Sequence, residues 1–323
     1  MKAVLLDCDS LGPDDLDLSA LLALPVDWTI YPETSDREVG ERIVDADIVL
    51  TNKAPINALS LSQAPRLKMI SIMATGTNAI DLQAAAKHHV AVCNAVKYGT
   101  GSVVQHVWAL ILALTTKLGD YQRAAVDGTW QDSSLFCLLD FPVEELQGKV
   151  LGIVGAGELG RGVAKVAEAF GLEVMYAALP GRDYCVGKGD PQRVDFKDFL
   201  SRADIISLHC PLTAETTNLI GEAELGMMKV SAILINTARG GMVNEAALKL
   251  ALLNGVIAGA GVDVLTNEPP RGGNPLLDET IPNLIVTPHC AWVARQSRQR
   301  LVDQTVENLG AFVQEKPLLR SVL

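Results

Sequence analysis

The segment Lys149–Gly171 reads KVLGIVGAGELGRGVAKVAEAFG and is the most informative stretch of the chain. It begins with a short apolar run, Val150–Val154, which is too short for a helix and predicts a buried parallel strand. Gly155, Gly157 and Gly160 follow, and apolar residues then recur at the spacing of one helix face. A strand, a glycine turn and a helix in this order predict a dinucleotide-binding unit.

Each glycine of this turn has a separate physical role. The first allows the tight turn, the second lets a pyrophosphate approach the backbone, and the third lets the helix pack close to the strand. The free N–H groups and the positive dipole end of the helix then face the phosphates. We therefore expect the cofactor to contact Gly155, Gly157, Glu158, Leu159 and Gly160.

The composition favours an α/β protein and argues against a nucleic-acid partner. The chain has 323 residues, enough for two domains, with 49% hydrophobic but only 5% aromatic residues. Such cores suit helices packed on parallel sheets. The net charge of −11 and the lack of clustered Lys and Arg speak against binding a phosphate backbone.

The sequence also predicts a cytoplasmic protein without a membrane partner. The first residues, MKAVLLDCDS, include Asp7 and therefore lack the long apolar core of a signal peptide. The longest apolar run, Val107–Leu114, is too short to span a bilayer. The six cysteines form no C-x-x-C pair, which favours buried free thiols in a reducing compartment.

Five short β-type runs near the N-terminus alternate with helical segments and predict a parallel sheet. These runs are Lys2–Asp7, Trp28–Tyr31, Asp47–Thr51, Lys68–Met73 and Val90–Cys93. In open α/β sheets, ligands collect at the carboxyl ends of the strands. The loops Thr51–Lys53 and Ala74–Asn78 are therefore candidate substrate contacts.

Six further strand-like runs predict a second, doubly wound sheet. They are Val150–Val154, Glu173–Ala178, Asp204–His209, Ala232–Asn236, Gly259–Leu265 and Asn283–Thr287. Ser102 and Gln105 predict a capping box at the start of a long helix, and a last helix from about Trp292 is expected to return to the first domain. We thus predict a Rossmann dinucleotide-binding domain, 99–291, inserted into a discontinuous flavodoxin-like substrate domain, 1–98 plus 292–323.

Three chemically capable residues follow strands of the second sheet: Arg239, Glu268 and His289. Each alone has an ordinary structural interpretation. Together they supply a permanently charged fork for a carboxylate, a proton donor that titrates near neutral pH, and an acid that favours the protonated donor. No cluster of His, Cys, Asp or Glu has metal-ligand spacing, so we predict no metal.

The chain resembles the D-isomer-specific 2-hydroxyacid dehydrogenase family along nearly its whole length. The motifs that carry the resemblance are LGIVGAGELGRGVA, SLHCPLTAETTNLI, LINTARGGMVNEAALKLAL, GAGVDVLTNEPP and TPHCAW. TNKAPI, SIMATGTNAIDLQAA and FCLLDFPVEELQGK are similar to the branch of glycerate dehydrogenases, also called hydroxypyruvate reductases.

This resemblance implies a role for each candidate residue. His289 would protonate the oxygen of a 2-keto acid while hydride reaches its C2, Glu268 would hold the imidazole, and Arg239 would pair with the substrate carboxylate. The remaining substrate contacts would be Lys53, Ala74, Thr75 and Gly76. Asp263 would contact the nicotinamide, and Cys210, Pro211, Thr237 and Ala238 would form the wall beside the cofactor. Arg239 would also contact the cofactor.

The end of the second strand departs from the pattern of NAD-specific sites, which place an acid there to bind the ribose 2′-hydroxyl. Ala178 occupies that position, and Arg182 follows after Pro180 and Gly181. We expect Arg182 to meet a 2′-phosphate, so that NADPH is used at least as well as NADH. The alternative is that Arg182 is a solvated loop residue.

The resemblance implies an NAD(P)-dependent enzyme, a homodimer, that reversibly reduces a small 2-keto acid, hydroxypyruvate or glyoxylate, to the D-2-hydroxy acid. The segment 120–147 is either an arm that packs on another subunit or an excursion over its own domain. Two alternatives to this activity stay open. One is a dinucleotide sensor without catalysis, similar to transcriptional corepressors of this fold. The other is oxidation of formate or phosphonate, although a formate enzyme would carry Gln in place of Glu268.

Overall fold

The structure is a computed structural model that describes residues 1–182, 184 and 190–323. These residues form two compact units. Unit 1 comprises Met1–Gly99 and Trp292–Leu323, and unit 2 comprises Thr100–Ala291.

Unit 1 contains a parallel sheet of five strands, as the sequence predicts. The strands are β1 (Lys2–Leu5), β2 (Asp27–Ile30), β3 (Ile48–Thr51), β4 (Met69–Ile72) and β5 (Ala91–Cys93). The helices are α1 (Ser19–Leu22), α2 (Val39–Ile43), α3 (Ala58–Ser62), α4 (Leu82–Lys87) and α11 (Arg295–Val313). The strand order β2-β1-β3-β4-β5 is that of flavodoxin-like folds, which confirms the predicted fold class.

The sheet of unit 1 is covered on both faces by apolar side chains. β3 and β4 are buried along their whole length, as is usual for parallel strands between helical layers. Leu301 and Val302 of α11 pack in one core cluster with Ala3 and Leu5 of β1. The C-terminal helix is therefore part of the same hydrophobic core as the N-terminal strand.

Unit 2 contains a parallel sheet of seven strands among the described residues. The strands are β6 (Val150–Val154), β7 (Glu173–Ala177), β8 (Arg193–Val194), β9 (Ile205–Leu208), β10 (Ile233–Asn236), β11 (Gly259–Val262) and β12 (Leu284–Val286). The helices are α5 (Thr100–Thr116), α6 (Leu118–Val126), α7 (Glu158–Ala169), α8 (Phe196–Arg202), α9 (Glu222–Met227) and α10 (Glu245–Leu253). The order β12-β11-β10-β9-β6-β7-β8 reverses direction beside β6, as in a Rossmann fold.

Two details of unit 2 differ from the sequence-based expectations. The predicted six strands omit β8, which has only two residues and pairs with the end of β7. The predicted capping box at Ser102 is wrong, because α5 already begins at Thr100 and the Ser102 hydroxyl donates to the carbonyl of Ala291 at 2.6 Å. The Ser102 hydroxyl therefore bonds to a residue distant in sequence and does not cap its own helix.

Within the described ranges, no single helix has the length and apolar composition needed to cross a membrane. The α5–α6 pair meets that criterion jointly but is bent by 61°. The described cysteines are all free thiols: Cys8, Cys93 and Cys210 are buried, and Cys137 and Cys290 are half-buried. Cys185 lies outside the described residues.

Candidate active site

The glycine turn between β6 and α7 has the local geometry that its sequence predicts. Gly155 has a φ of +103°, and a Cβ there would lie 2.7 Å from the amide nitrogen of Cys210. At Gly160 a Cβ would lie 2.1 Å from the carbonyl oxygen of Gly155, so only glycine allows α7 to approach the turn. By contrast, a Cβ on Gly157 would meet no atom within 4 Å, which leaves the backbone open to a ligand.

The surroundings of this turn fit a dinucleotide. Gly157 is the N-cap of α7 and provides no side-chain cap, so the first N–H groups of a twelve-residue helix remain available to a phosphate. Glu158 is exposed and Leu159 is half-buried at this helix end. Directly after β10, the buried hydroxyl of Thr237 has no hydrogen-bond partner among the described residues. A bound cofactor would satisfy such groups.

The segment after β9 forms an uncharged wall beside the turn. Burial raises the pKa of Cys210 to about 11, and burial lowers the pKa of His209 to about 4. The imidazole of His209 lies 2.8 Å from the Ser207 hydroxyl. Pro211 is exposed, and its carbonyl accepts from Thr216 at 2.8 Å. His209 is therefore neutral near pH 7 and is not the proton donor.

The loop after β7 contains the residues expected to select the coenzyme. Ala178 is half-buried, and its N–H donates to Val194 at 2.8 Å. Arg182 is exposed, with its guanidinium carbon 5.6 Å from the centre of the Tyr184 ring. Arg193 of β8 lies over the same ring at 4.2 Å. The described part of this loop thus presents two guanidinium groups near one aromatic ring.

Arg239 lies in a tight turn directly after β10. The fully buried side chain of Asn236 accepts from the Ala238 N–H at 3.1 Å and donates to the Arg239 carbonyl at 2.9 Å. The half-buried Arg239 also donates from Nη1 to the carbonyl of Ala238 at 2.7 Å. At Gly240 a Cβ would lie 2.0 Å from the carbonyl carbon of Leu265, so the turn packs directly on the chain that follows β11.

His289 and Glu268 form a hydrogen-bonded pair in the same unit. Nδ1 of His289 lies 2.6 Å from Oε2 of Glu268, and the two side chains are 28% and 32% exposed. The other carboxylate oxygen, Oε1, accepts from the Leu265 N–H at 2.8 Å. With Nδ1 committed to Glu268, Nε2 is the nitrogen that His289 can offer to a substrate.

The backbone around His289 is held in an uncommon conformation. His289 has a φ of +52°, in the left-handed region that few non-glycine residues adopt. Its N–H donates to the carbonyl of Asp263 at 2.8 Å. Such conformations persist where the surroundings fix them, often at functional sites.

Asp263 fixes that conformation through its side chain as well. It is 1% exposed, and its carboxylate accepts from the N–H groups of Cys290 and Ala291, both at 2.9 Å. The Thr287 hydroxyl donates to the same carboxylate at 2.5 Å. These contacts place the Asp263 side chain under the loop that carries His289, and the predicted contact with the nicotinamide stays a prediction.

Among the residues that the structure describes, His106, Asp263 and Cys290 bring ligand-type atoms within 4.8 Å of one another. The oxygens of Asp263 already accept three protein donors, and His106 Nε2 lies 3.0 Å from the Thr287 hydroxyl. Protein hydrogen bonds therefore account for this cluster. The absence of a metal stays a prediction.

Unit 1 contributes two loops at the carboxyl ends of β3 and β4. Lys53 is exposed between the buried residues Asn52 and Ala54. Ala74 is buried, Thr75 is exposed and Gly76 is half-buried; their backbone N–H groups have no partner among the described residues. Asn94 Nδ2 holds this second loop by donating to the Thr75 carbonyl at 2.9 Å. The loop is thus able to bind a small anion through its backbone.

The glycine turn and the residues that follow β10, β11 and β12 define the class of the protein: a Rossmann-type dehydrogenase with an arginine and a His–Glu pair. Residues 108–291 match the family description "D-isomer specific 2-hydroxyacid dehydrogenase, NAD binding domain". The chain is 42% identical to the glycerate dehydrogenase of Methylorubrum extorquens, over 98% of this chain and 97% of that protein. It is 37% identical to the hydroxypyruvate reductase of Blautia hydrogenotrophica, over 98% of each chain.

Among solved structures, the TT0316 protein of Thermus thermophilus has a TM-score of 0.87 to this chain, with 31% identity and 100% of both chains covered. The chain therefore belongs to the D-isomer specific 2-hydroxyacid dehydrogenase family. It is an oxidoreductase with a nicotinamide cofactor, as the sequence motifs predict.

Sequence patterns identified Arg239, Glu268 and His289 by their place after strands, but they did not reveal the residues that hold them. Asn236 and Gly240 fix the turn of Arg239, and Asp263 fixes the loop of His289. The signal for Gly240 is the pair of adjacent glycines in ARGG, of which it is the first. The signal for Asn236 is a polar residue that ends a buried strand.

Proposed function

We propose that this enzyme reduces hydroxypyruvate or glyoxylate to the corresponding D-2-hydroxy acid or glycolate. The observation that carries the proposal is the contact of 2.6 Å between His289 Nδ1 and Glu268 Oε2, in a dinucleotide-binding unit that also presents Arg239. The substrate class is supported by the relatives of similar length that are named for glycerate and hydroxypyruvate.

The residues divide the chemistry between them. When bound, a reduced nicotinamide would supply the hydride that adds to C2 of the keto acid, and the carbonyl oxygen would then take up the negative charge. His289 gives its Nε2 proton to that oxygen, so that one hydride and one proton together yield the hydroxyl. Glu268 keeps the ring oriented through its contact of 2.6 Å with Nδ1, so that Nε2 faces the substrate.

The substrate carboxylate needs fixed positive partners. Arg239 offers a planar fork that pairs with the carboxylate and the keto oxygen. In unit 1, Lys53 and the backbone N–H groups of Ala74, Thr75 and Gly76 would bind the carboxylate.

The proposal can be tested by supplying hydroxypyruvate, glyoxylate or pyruvate together with NADH or NADPH. The rate is measured as the loss of reduced-nicotinamide absorbance. We expect the highest kcat/KM with hydroxypyruvate or glyoxylate. A protein that binds the coenzyme but reduces no keto acid would favour a dinucleotide sensor. A gain of reduced-nicotinamide absorbance with formate and NAD⁺ or NADP⁺, but no keto acid activity, would favour the formate-oxidising alternative.

The loop after β7 further supports use of NADPH. Ala178 places no negative charge where an NAD-specific site has its acid, and Arg182 is exposed in the same loop. A charged hydrogen bond contributes about 1.5–3 kcal/mol, which is a preference of roughly tenfold to 150-fold before solvent screening. We expect Arg182→Ala to lower kcat/KM for NADPH, and Ala178→Asp to favour NADH. Unchanged NADPH efficiency in Arg182→Ala would contradict this part.

We also propose that the protein is a homodimer and that the segment 120–147 contacts the second copy. Six large apolar side chains of this segment are exposed, and exposed apolar surface is typical of protein interfaces. They are Val126, Trp130, Leu135, Phe136, Leu139 and Val143. Sedimentation analysis should give the mass of two chains, and Phe136→Asp should shift the protein toward one chain. A monomeric parent would contradict the proposal.

A further inference from the structure

A buried carboxylate in unit 1 holds the loop that carries Lys53. Asp7 follows β1 and is 6% exposed. Its Oδ1 accepts from the Asn52 N–H at 2.9 Å, and its Oδ2 accepts from the Lys53 N–H at 2.6 Å and the Ala54 N–H at 3.0 Å. Three consecutive N–H groups of one loop thus converge on a single side chain that lies more than forty positions earlier in the sequence.

The orientation of this carboxylate is not the one that local structure favours. Asp7 is the N-cap of a short 3-10 helix, Cys8–Leu11, and aspartate at such a position usually accepts from the helix N–H groups. In this chain Asp7 makes no side-chain cap bond. The carboxylate is instead directed to residues 52–54, which indicates that holding this loop is its main structural role.

The contact determines how Lys53 is presented. Asn52 and Ala54 are buried on either side, whereas Lys53 is exposed. Because its N–H is bonded to Asp7, the starting point of the Lys53 side chain is fixed. Moreover, three converging N–H groups would otherwise form an anion site. Asp7 fills that site, so an anionic substrate meets the side chain of Lys53 and not these N–H groups.

Unit 2 uses the same arrangement at His289. There the buried carboxylate of Asp263 accepts from the N–H groups of Cys290 and Ala291, the two residues that follow His289. In both units a buried aspartate after a strand fixes a loop that presents a cationic or protonatable side chain. The repetition supports a common purpose, which is to place that side chain before substrate arrives.

We propose that Asp7 is a positioning residue for keto acid binding, acting through the backbone of residues 52–54 to orient Lys53. This inference rests on the proposed function, because it requires that Lys53 bind the substrate carboxylate. It predicts a change in KM and not in the chemical step, since Asp7 lies in the unit that does not contain His289.

The experiment compares Asp7→Asn with the parent and with Asp9→Asn, a matched loss of charge at an exposed neighbouring position. The amide introduced by Asp7→Asn would offer one acceptor oxygen where the carboxylate offers two. We expect the KM for hydroxypyruvate or glyoxylate to rise roughly tenfold, with kcat changed by less than about threefold. Asp9→Asn should keep the KM of the parent.

A double-mutant cycle separates positioning from general damage. In a Lys53→Met background, Asp7→Asn should raise KM by less than about twofold, because the side chain that it positions is already absent. An equal rise in both backgrounds would overturn the inference. Asp7→Glu, which keeps the charge, should recover part of the loss.

Amide hydrogen exchange gives a readout that needs no turnover. In the parent, the N–H groups of Asn52 and Lys53 should exchange slowly although they lie in a loop, and Asp7→Asn should accelerate them. If Asp7→Asn fails to fold, amide exchange in the parent still tests the inference. Unprotected amides at Asn52 and Lys53 in the parent would overturn it. A parent without keto acid activity would overturn the proposed function and this inference with it. An active parent whose Asp7→Asn variant keeps its KM would overturn the inference alone.

Discussion

A methyl group at position 240 would test whether close backbone packing in unit 2 aligns the catalytic residues. An ideal Cβ on Gly240 would lie 2.0 Å from the carbonyl carbon of Leu265 and 2.3 Å from the amide nitrogen of Thr266. Both neighbours are backbone atoms, so no side chain can rotate away. Reaching ordinary contact at about 3.5 Å requires a relative shift of about 1.5 Å. Overpacking of this kind costs about 1–3 kcal/mol of unfolding free energy.

The shift would reach the proton donor through two hydrogen bonds. The Leu265 N–H donates to Oε1 of Glu268 at 2.8 Å, and Oε2 of Glu268 lies 2.6 Å from His289. A displacement of about 1 Å at a reacting group lowers the rate by about 10². We therefore expect Gly240→Ala to lower kcat by about 10² while the protein stays folded.

Gly241→Ala is the matched control for this variant. A Cβ at Gly241 would approach only Leu212, at 3.3 Å from Cδ2, which is the end of a flexible side chain. Steady-state kcat, the melting temperature and the dissociation constant of NADPH should be measured for both variants. A kcat for Gly240→Ala within about threefold of the control would refute the argument that this packing sets the geometry.

Three further predictions concern two glycines of the turn and the half-buried His209. Gly157→Ala should fold normally, since its Cβ meets no protein atom within 4 Å, but it should bind the coenzyme more weakly in a fluorescence titration. Gly160→Ala should instead lower the melting temperature, because its Cβ would lie 2.1 Å from the carbonyl oxygen of Gly155. Burial lowers the pKa of His209 from 6.5 to about 4, so the unfolded state binds more protons in this window and stability falls as the pH drops through it. The difference between these two pKa values corresponds to a loss of about 3 kcal/mol in the free energy of unfolding. In urea unfolding, the free energy of unfolding of His209→Gln should therefore decline less steeply than that of the parent below about pH 6.5.

Much of the fold follows from short sequence signals because those signals are local. The glycine turn after Val150–Val154 places the nucleotide-binding unit, and apolar runs of strand length predict every strand of the described residues except β8. Arg239, Glu268 and His289 are also detectable, since parallel strands bring their carboxyl ends to one edge of the sheet. The structure confirms that Glu268 and His289 are in contact.

The parts that sequence could not predict depend on distant contacts. The two residues of β8 are too few to show a period, and Ser102 bonds to Ala291 and not to its own helix end. The residues next to Asp7 in sequence do not indicate that Asp7 holds the loop of Lys53. The N–H groups that donate to Asp7 lie in the loop after β3, more than forty residues later. Supporting residues are therefore harder to predict than the chemically active residues that they hold.

We propose that His289 is the proton donor for reduction of a small 2-keto acid. The most direct measurement is kcat of His289→Ala with hydroxypyruvate and saturating NADPH, beside the dissociation constant of NADPH for the same variant. We predict that kcat falls by about 10²–10⁴, the usual contribution of a positioned acid, while coenzyme binding stays as in the parent. A His289→Ala protein that keeps kcat within about threefold of the parent would show that His289 is not the proton donor.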